Sequence, residues 1–127
     1  MDKAALVSLD IERGREVLDA LERAKLKVSI ALWVYSPEYE DWRLVLSARQ
    51  FGSLDPRDAY RRLNDSLAAA GLTPDKTPPV LILPTTDSFI RELRQLFWKT
   101  KSVEGMRLGG QMIGDRFVQD AYVYRIS

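Results

Sequence analysis

The sequence predicts a single α+β domain over residues 1–127, in which three helices pack on a mixed sheet of about five strands. Two patterns lead to this prediction. Apolar residues recur at helical spacing in three segments and alternate as in β-strands in the segments between them. The chain is also 46% hydrophobic and 29% charged, which is typical of one globular domain. The predicted order of elements is α-β-β-α-β-α-β-β.

The first three predicted elements are a helix and a β-hairpin. The helix spans Asp10–Ala24, where apolar residues recur every three or four positions. The strands of the hairpin span Leu26–Tyr35 and Trp42–Arg49, because residue types alternate there with a period of two. In the first strand this alternation predicts a core face formed by Leu26, Val28, Ile30, Leu32 and Val34.

The middle of the chain is predicted to form a helix, a strand and a helix. Asp55-Pro56 marks the start of the second helix, since aspartate caps a helix and proline fits its first position. Gly71 marks its end, where a left-handed residue is common. Val80–Leu83 is wholly apolar and lies between prolines, which favours a buried central strand. The third helix spans Thr86–Trp98.

The last predicted element is a closing hairpin with strands Met106–Ile113 and Arg116–Ile126. The two residues between these strands are Gly114 and Asp115. Glycine at the first central position is what a type II′ turn requires. The helical connections on both sides of Val80–Leu83 favour some parallel pairing, and the two hairpins supply antiparallel pairing. We therefore expect a mixed sheet.

The composition excludes several kinds of chemistry. The chain has no cysteine and no histidine, so disulfides, thiolate zinc sites and histidine-dependent catalysis are excluded. The acids Glu38, Glu40 and Asp41 lack the spacing of a calcium-binding loop. A net charge of +1 does not indicate bulk attraction to nucleic acid. We predict no catalytic residue, no metal site and no cofactor, and we expect the protein not to be an enzyme.

The start of the chain lacks the pattern of a signal peptide, and no apolar stretch is long enough to span a membrane. The sequence therefore predicts a cytoplasmic protein with no membrane partner.

A first candidate site lies on the predicted non-core face of the first hairpin, which carries Trp33, Tyr35, Arg43 and Arg49. Aromatic residues interleaved with arginine are typical of protein interfaces, and also of base-stacking surfaces. The alternative is that a helix covers this face and that the arginines reach its edge.

A second candidate site is the glycine-rich segment before and within the closing hairpin. Residues 104–116 hold four of the seven glycines, Gly105, Gly109, Gly110 and Gly114. Exposed amides at Gly109 and Gly110, together with Arg107 and Arg116, are able to bind a phosphate. The alternative is a tightly packed or bulged hairpin, in which glycine lets another backbone come close.

These observations predict a small binding module that acts through contact with a protein partner or through homo-oligomerisation. The alternative function is binding of nucleic acid or of a nucleotide phosphate through Arg107, Arg116 and the neighbouring glycines. The segment from Arg91 to Arg116 supports this alternative, because it has six basic residues and three acids, a local charge of +3.

Overall fold

The computed structural model describes residue 6, residues 8–38 and residues 40–127. A short 3-10 turn spans Pro74–Lys76. In chain order, the helices and strands of the described residues are α1 (Ser8–Arg23), β1 (Val28–Ser36), β2 (Asp41–Ala48), α2 (Arg49–Gly52), α3 (Pro56–Ala69), β3 (Val80–Ile82), α4 (Ser88–Phe97), β4 (Arg107–Leu108), β5 (Gln111–Ile113), β6 (Arg116–Val118) and β7 (Asp120–Ile126).

The main sheet has five strands in the order β3-β2-β1-β7-β4. Strand β3 is parallel to β2, whereas the β2–β1, β1–β7 and β7–β4 pairs are antiparallel. Strands β5 and β6 form a separate two-stranded ribbon. The predicted α+β class, the mixed five-stranded sheet and the three regular helices are therefore confirmed.

Both faces of the main sheet are covered, and each has its own apolar core. On one face, α1 and α3 pack on the sheet through Leu18, Leu21 and Leu63. We call α1 and α3 the helical layer. On the other face, α4 contributes Phe89 and Leu93, and the β5–β6 ribbon contributes Ile113 and Val118. We call α4 and the ribbon the mixed layer.

A β-bulge in β1 corrects the predicted faces of this strand. Val28 pairs with Ala48 and Ile30 pairs with Ser47, so β1 advances by two residues while β2 advances by one. The extra residue moves Val28 to the core under the helical layer, whereas Ile30 lies in the core under the mixed layer. The prediction that Leu26 and Val28 share a face with Ile30 is therefore wrong.

Strand β3 is an edge strand rather than the predicted central strand. It pairs with β2 on one side, and its three residues are only partly buried. On its open side, the Ile82 amide donates to the Tyr60 hydroxyl of α3, at 2.9 Å. Prolines flank the strand at positions 79 and 84. Short length, prolines and a side chain on the open edge all hinder pairing with another chain.

The predicted closing hairpin is divided between two sheets. Met106–Ile113 was expected to pair as one strand, but β4 pairs with β7 in the main sheet and β5 pairs with β6 in the ribbon. The turn prediction agrees with the structure, because Gly114 has a φ of +60° and Asp115 does not have a positive φ.

Candidate functional site

A cleft with a volume of about 540 Å³ lies on the mixed-layer side of the sheet. It is bounded by the last residues of β1, the first half of β2, strand β3, the start of α4 and the turn of the ribbon. Its lining residues are Val34, Tyr35, Pro37, Glu38, Arg43, Val45, Leu81, Leu83, Phe89, Asp115, Arg116 and Phe117.

The floor of the cleft follows from strand alternation and register. Arg43 is opposite Val34, and Val45 is next to Leu81, so these four residues point to the same side of the sheet. Phe89 comes from the first turn of α4, where the Asp87 side chain accepts a hydrogen bond from the Phe89 amide at 2.9 Å.

The turn of the ribbon is held against α4 by close packing and by a hydrogen bond. A Cβ at Gly114 would lie 2.7 Å from the carbonyl oxygen of Ser88, so glycine permits this close approach. The Ser88 hydroxyl donates to the Asp115 carboxylate at 2.7 Å. This hydrogen bond and one from the Asp115 amide lower the pKa of the carboxyl. These contacts place Arg116 and Phe117 at the wall of the cleft.

The structure separates the residues of the first candidate site. Arg43 lines the cleft, but Trp33 lies on the opposite face of the sheet beneath α1 and is 2% exposed. Tyr35 is also buried, and its ring meets that of Trp42 edge to face. Arg49 lies in α2, because β2 ends at Ala48, and it does not line the cleft.

The prediction that Trp33 lies on an exposed face of the hairpin is therefore wrong. Helix α1 covers this residue, as the alternative predicted. The physical reason is the register of the hairpin. Trp33 pairs with Leu44, whereas Arg43 pairs with Val34, so the tryptophan and the arginine point to opposite sides.

The second candidate site is also divided. Arg107 lies on β4 of the main sheet, where it donates to both oxygens of Asp120 and lies 6.0 Å from the centre of the Trp42 ring. Arg116 lies on β6 of the ribbon and lines the cleft. A Cβ at Gly109 would lie 2.9 Å from the carbonyl oxygen of Gln119, which gives this glycine a packing role.

Exposed apolar side chains are concentrated in the mixed layer. Five large apolar residues of the described chain are at least half exposed. Leu9 lies in α1, but the other four belong to α4, the residue after it and the ribbon. They are Leu96 (50%), Trp98 (72%), Met112 (61%) and Phe117 (50%). Met112 and Phe117 are cross-strand neighbours, so they share one face of the ribbon.

Sequence reasoning identified Arg43, Tyr35 and Arg116 but missed the apolar walls of the cleft. Leu81, Phe89 and Phe117 follow ordinary core patterns, and no short motif marks them. Among the described residues, no group of three or more acids forms a metal site. No described helix is long and apolar enough to cross a membrane.

Comparison with known proteins gives no assignment. No protein-family model matches the chain, and neither a curated protein nor a solved structure matches it.

Proposed function

We propose that this protein is a binding module whose mixed layer contacts another polypeptide, either a partner protein or a second copy of this chain. One observation carries the proposal: of the five large, half-exposed apolar side chains found in the described residues, three lie on α4 and the ribbon, which also border the cleft, and a fourth, Trp98, directly follows α4. Concentration of exposed apolar side chains on one surface is typical of interaction sites.

The cleft supports the proposal through its size and chemistry. Its volume of about 540 Å³ is large enough for several side chains. Its walls are mainly aliphatic and aromatic, and the charged groups Glu38, Arg43, Asp115 and Arg116 are among its lining residues. Apolar walls supply binding free energy through burial, whereas charged groups supply orientation and specificity.

Peptide selection on the immobilised protein tests the proposal. A random peptide library displayed on phage would be selected against the wild-type chain, and enriched peptides would be synthesised for affinity measurements. We expect Phe117→Asp to weaken their binding about tenfold or more, because it places a carboxylate in a cleft wall. Leu9→Asp is the matched control, since Leu9 is 52% exposed and lies on α1, whereas Phe117 is 50% exposed.

The second-copy form of the proposal is tested by sedimentation velocity over a wide concentration range, with the same two variants. Phe117→Asp should reduce any self-association that the wild type shows, and Leu9→Asp should leave it unchanged. The proposal fails if the wild type stays monomeric and no peptide is enriched. It also fails if both variants weaken binding equally. Circular dichroism and thermal melting would establish that both variants are folded.

A further inference from the structure

The charges of the mixed layer indicate what kind of polypeptide it binds. Two of the charged residues between positions 91 and 116 are in ion pairs: Glu104 pairs with Arg15, and Arg107 pairs with Asp120. The Asp115 carboxylate accepts from the neutral Ser88 hydroxyl, so its charge remains. Arg94 donates to the Ser127 carbonyl oxygen and to the Ser29 hydroxyl.

The remaining charged side chains of this segment are mostly basic. Arg91, Lys99, Lys101 and Arg116 are exposed and have no acidic partner within 4.0 Å among the described residues, and the remaining acids are Glu92 and Asp115. The exposed cations therefore lie on the same elements as the exposed apolar side chains, or directly after them.

Trp98 and Lys99 place an exposed apolar surface and a positive charge side by side. Trp98 is 72% exposed, and the Lys99 ammonium lies 4.9 Å from the centre of its ring. This cation–π contact holds a positive charge beside an exposed aromatic surface. A ligand group that packs on Trp98 therefore finds a cation within reach.

We propose that the mixed layer recognises an acidic polypeptide segment that also carries apolar side chains. The inference rests on the proposed function and adds the chemistry of the partner. Carboxylates of the segment pair with Lys99, Lys101 and Arg116, and its apolar side chains cover Trp98 and Phe117. Charge complementarity of this kind raises association rates and excludes partners of the same sign.

The geometry favours a polypeptide over a nucleic acid. Trp98 offers an exposed apolar surface. Leu96, Met112 and Phe117 offer further apolar surface, which a phosphate backbone does not match.

The peptides enriched in the selection described above test this inference through their composition. We expect an excess of Asp and Glu over Lys and Arg relative to the unselected library, together with Leu, Phe or Trp. The affinity of the synthesised peptides should fall as NaCl rises, because screening weakens attraction between exposed charges.

Charge reversal gives the sharper test. The double variant Lys99→Glu plus Lys101→Glu should weaken binding of the acidic peptides about tenfold or more, since like charges then face each other. The control is Arg57→Glu plus Arg62→Glu, which makes the same change in net charge on exposed residues of α3, in the helical layer. The control should bind within about twofold of the wild type.

Several outcomes would overturn the inference while leaving the proposed function intact. They are enriched peptides without an acidic excess, and equal loss of affinity in the two double variants. Displacement of the peptides by a 12-nucleotide single-stranded DNA at lower concentration would instead assign the surface to nucleic acid. By contrast, failure to enrich any peptide, with the wild type monomeric, would remove the proposed function and this inference with it.

Discussion

At the residue scale, Gly14 of α1 lies in close contact with two side chains of the sheet. A Cβ at this position would lie 2.2 Å from the Tyr124 hydroxyl and 2.9 Å from the Trp33 Nε1. These two polar atoms are buried and form a hydrogen bond, in which the indole N–H donates to the hydroxyl at 2.9 Å. The hydroxyl in turn donates to the Ile11 carbonyl oxygen. Burial raises the pKa of Tyr124 to about 12.

We predict that Gly14→Ala destabilises the protein by about 1–3 kcal/mol, as overpacked core positions do. Whether Gly14→Ala lowers or raises the free energy of unfolding is informative, because alanine is favoured over glycine by about 1 kcal/mol inside a helix without such contacts. Urea denaturation measures the change. In a Tyr124→Phe background the loss should be smaller, since the atom closest to the new methyl group is absent. A stabilised Gly14→Ala variant would contradict the close packing at this position.

Gly109 and Gly110 are adjacent but resist substitution for different reasons. Gly109 has no room for a side chain beside Gln119, whereas Gly110 has room but a φ of +67°. We predict that valine at either position destabilises the fold by about 1–3 kcal/mol. Gly110→Asn should cost less than Gly110→Val, because asparagine tolerates the left-handed region. Thermal melting of the three variants tests this, and unchanged melting temperatures would refute the prediction.

At the element scale, the sequence predicts the ends of α3 and the mixed sheet correctly, but it does not predict the edge position of β3 or the bulge in β1. Asp55 and Gly71 mark the ends of α3 through interactions within a few residues, and the structure has the helix at Pro56–Ala69. The edge position of β3 depends on which strands pair across the sheet, and apolar content does not determine this. The bulge in β1 depends on a one-residue shift against β2, which the alternation of β1 alone does not reveal.

The N-cap of α3 allows a quantitative test of Asp55 as a helix-start signal. The Asp55 carboxylate accepts a hydrogen bond from the Asp58 amide at 2.9 Å. We predict that Asp55→Ala lowers the free energy of unfolding by about 1 kcal/mol, the usual loss at an N-cap. Asp65→Ala is the control, because Asp65 is exposed in the middle of the same helix. Equal effects of the two substitutions in urea denaturation would show that the cap contributes little.

At the scale of the whole molecule, the cleft joins parts of the chain that are far apart in sequence. The sequence predicts Arg43 as a candidate because aromatic residues and arginine are interleaved in its hairpin, and Arg116 because it flanks the glycine-rich segment. Leu81 and Phe89 were not selected, since they look like any core residue until the sheet order brings β3 and α4 beside β2. The cleft lies where β3, the start of α4 and the turn of the ribbon come beside β1 and β2.

The arrangement of layers also predicts how stability varies across the molecule. Strand β1 lies between β2 and β7, and Ile30, Ala31 and Leu32 are fully buried. We therefore expect amides of β1 to exchange with solvent most slowly. The ribbon has only two strands and one buried residue on each, Ile113 and Val118, so its amides should exchange faster.

Hydrogen exchange followed by NMR or mass spectrometry tests this order at low protein concentration. If a second copy binds the mixed layer, protection of the ribbon should rise with protein concentration, while protection of β1 stays the same. Mass action requires this dependence, because only the associated form covers the ribbon. Ribbon protection that equals that of β1 at every concentration would show that the ribbon unfolds only with the main sheet, contrary to the prediction.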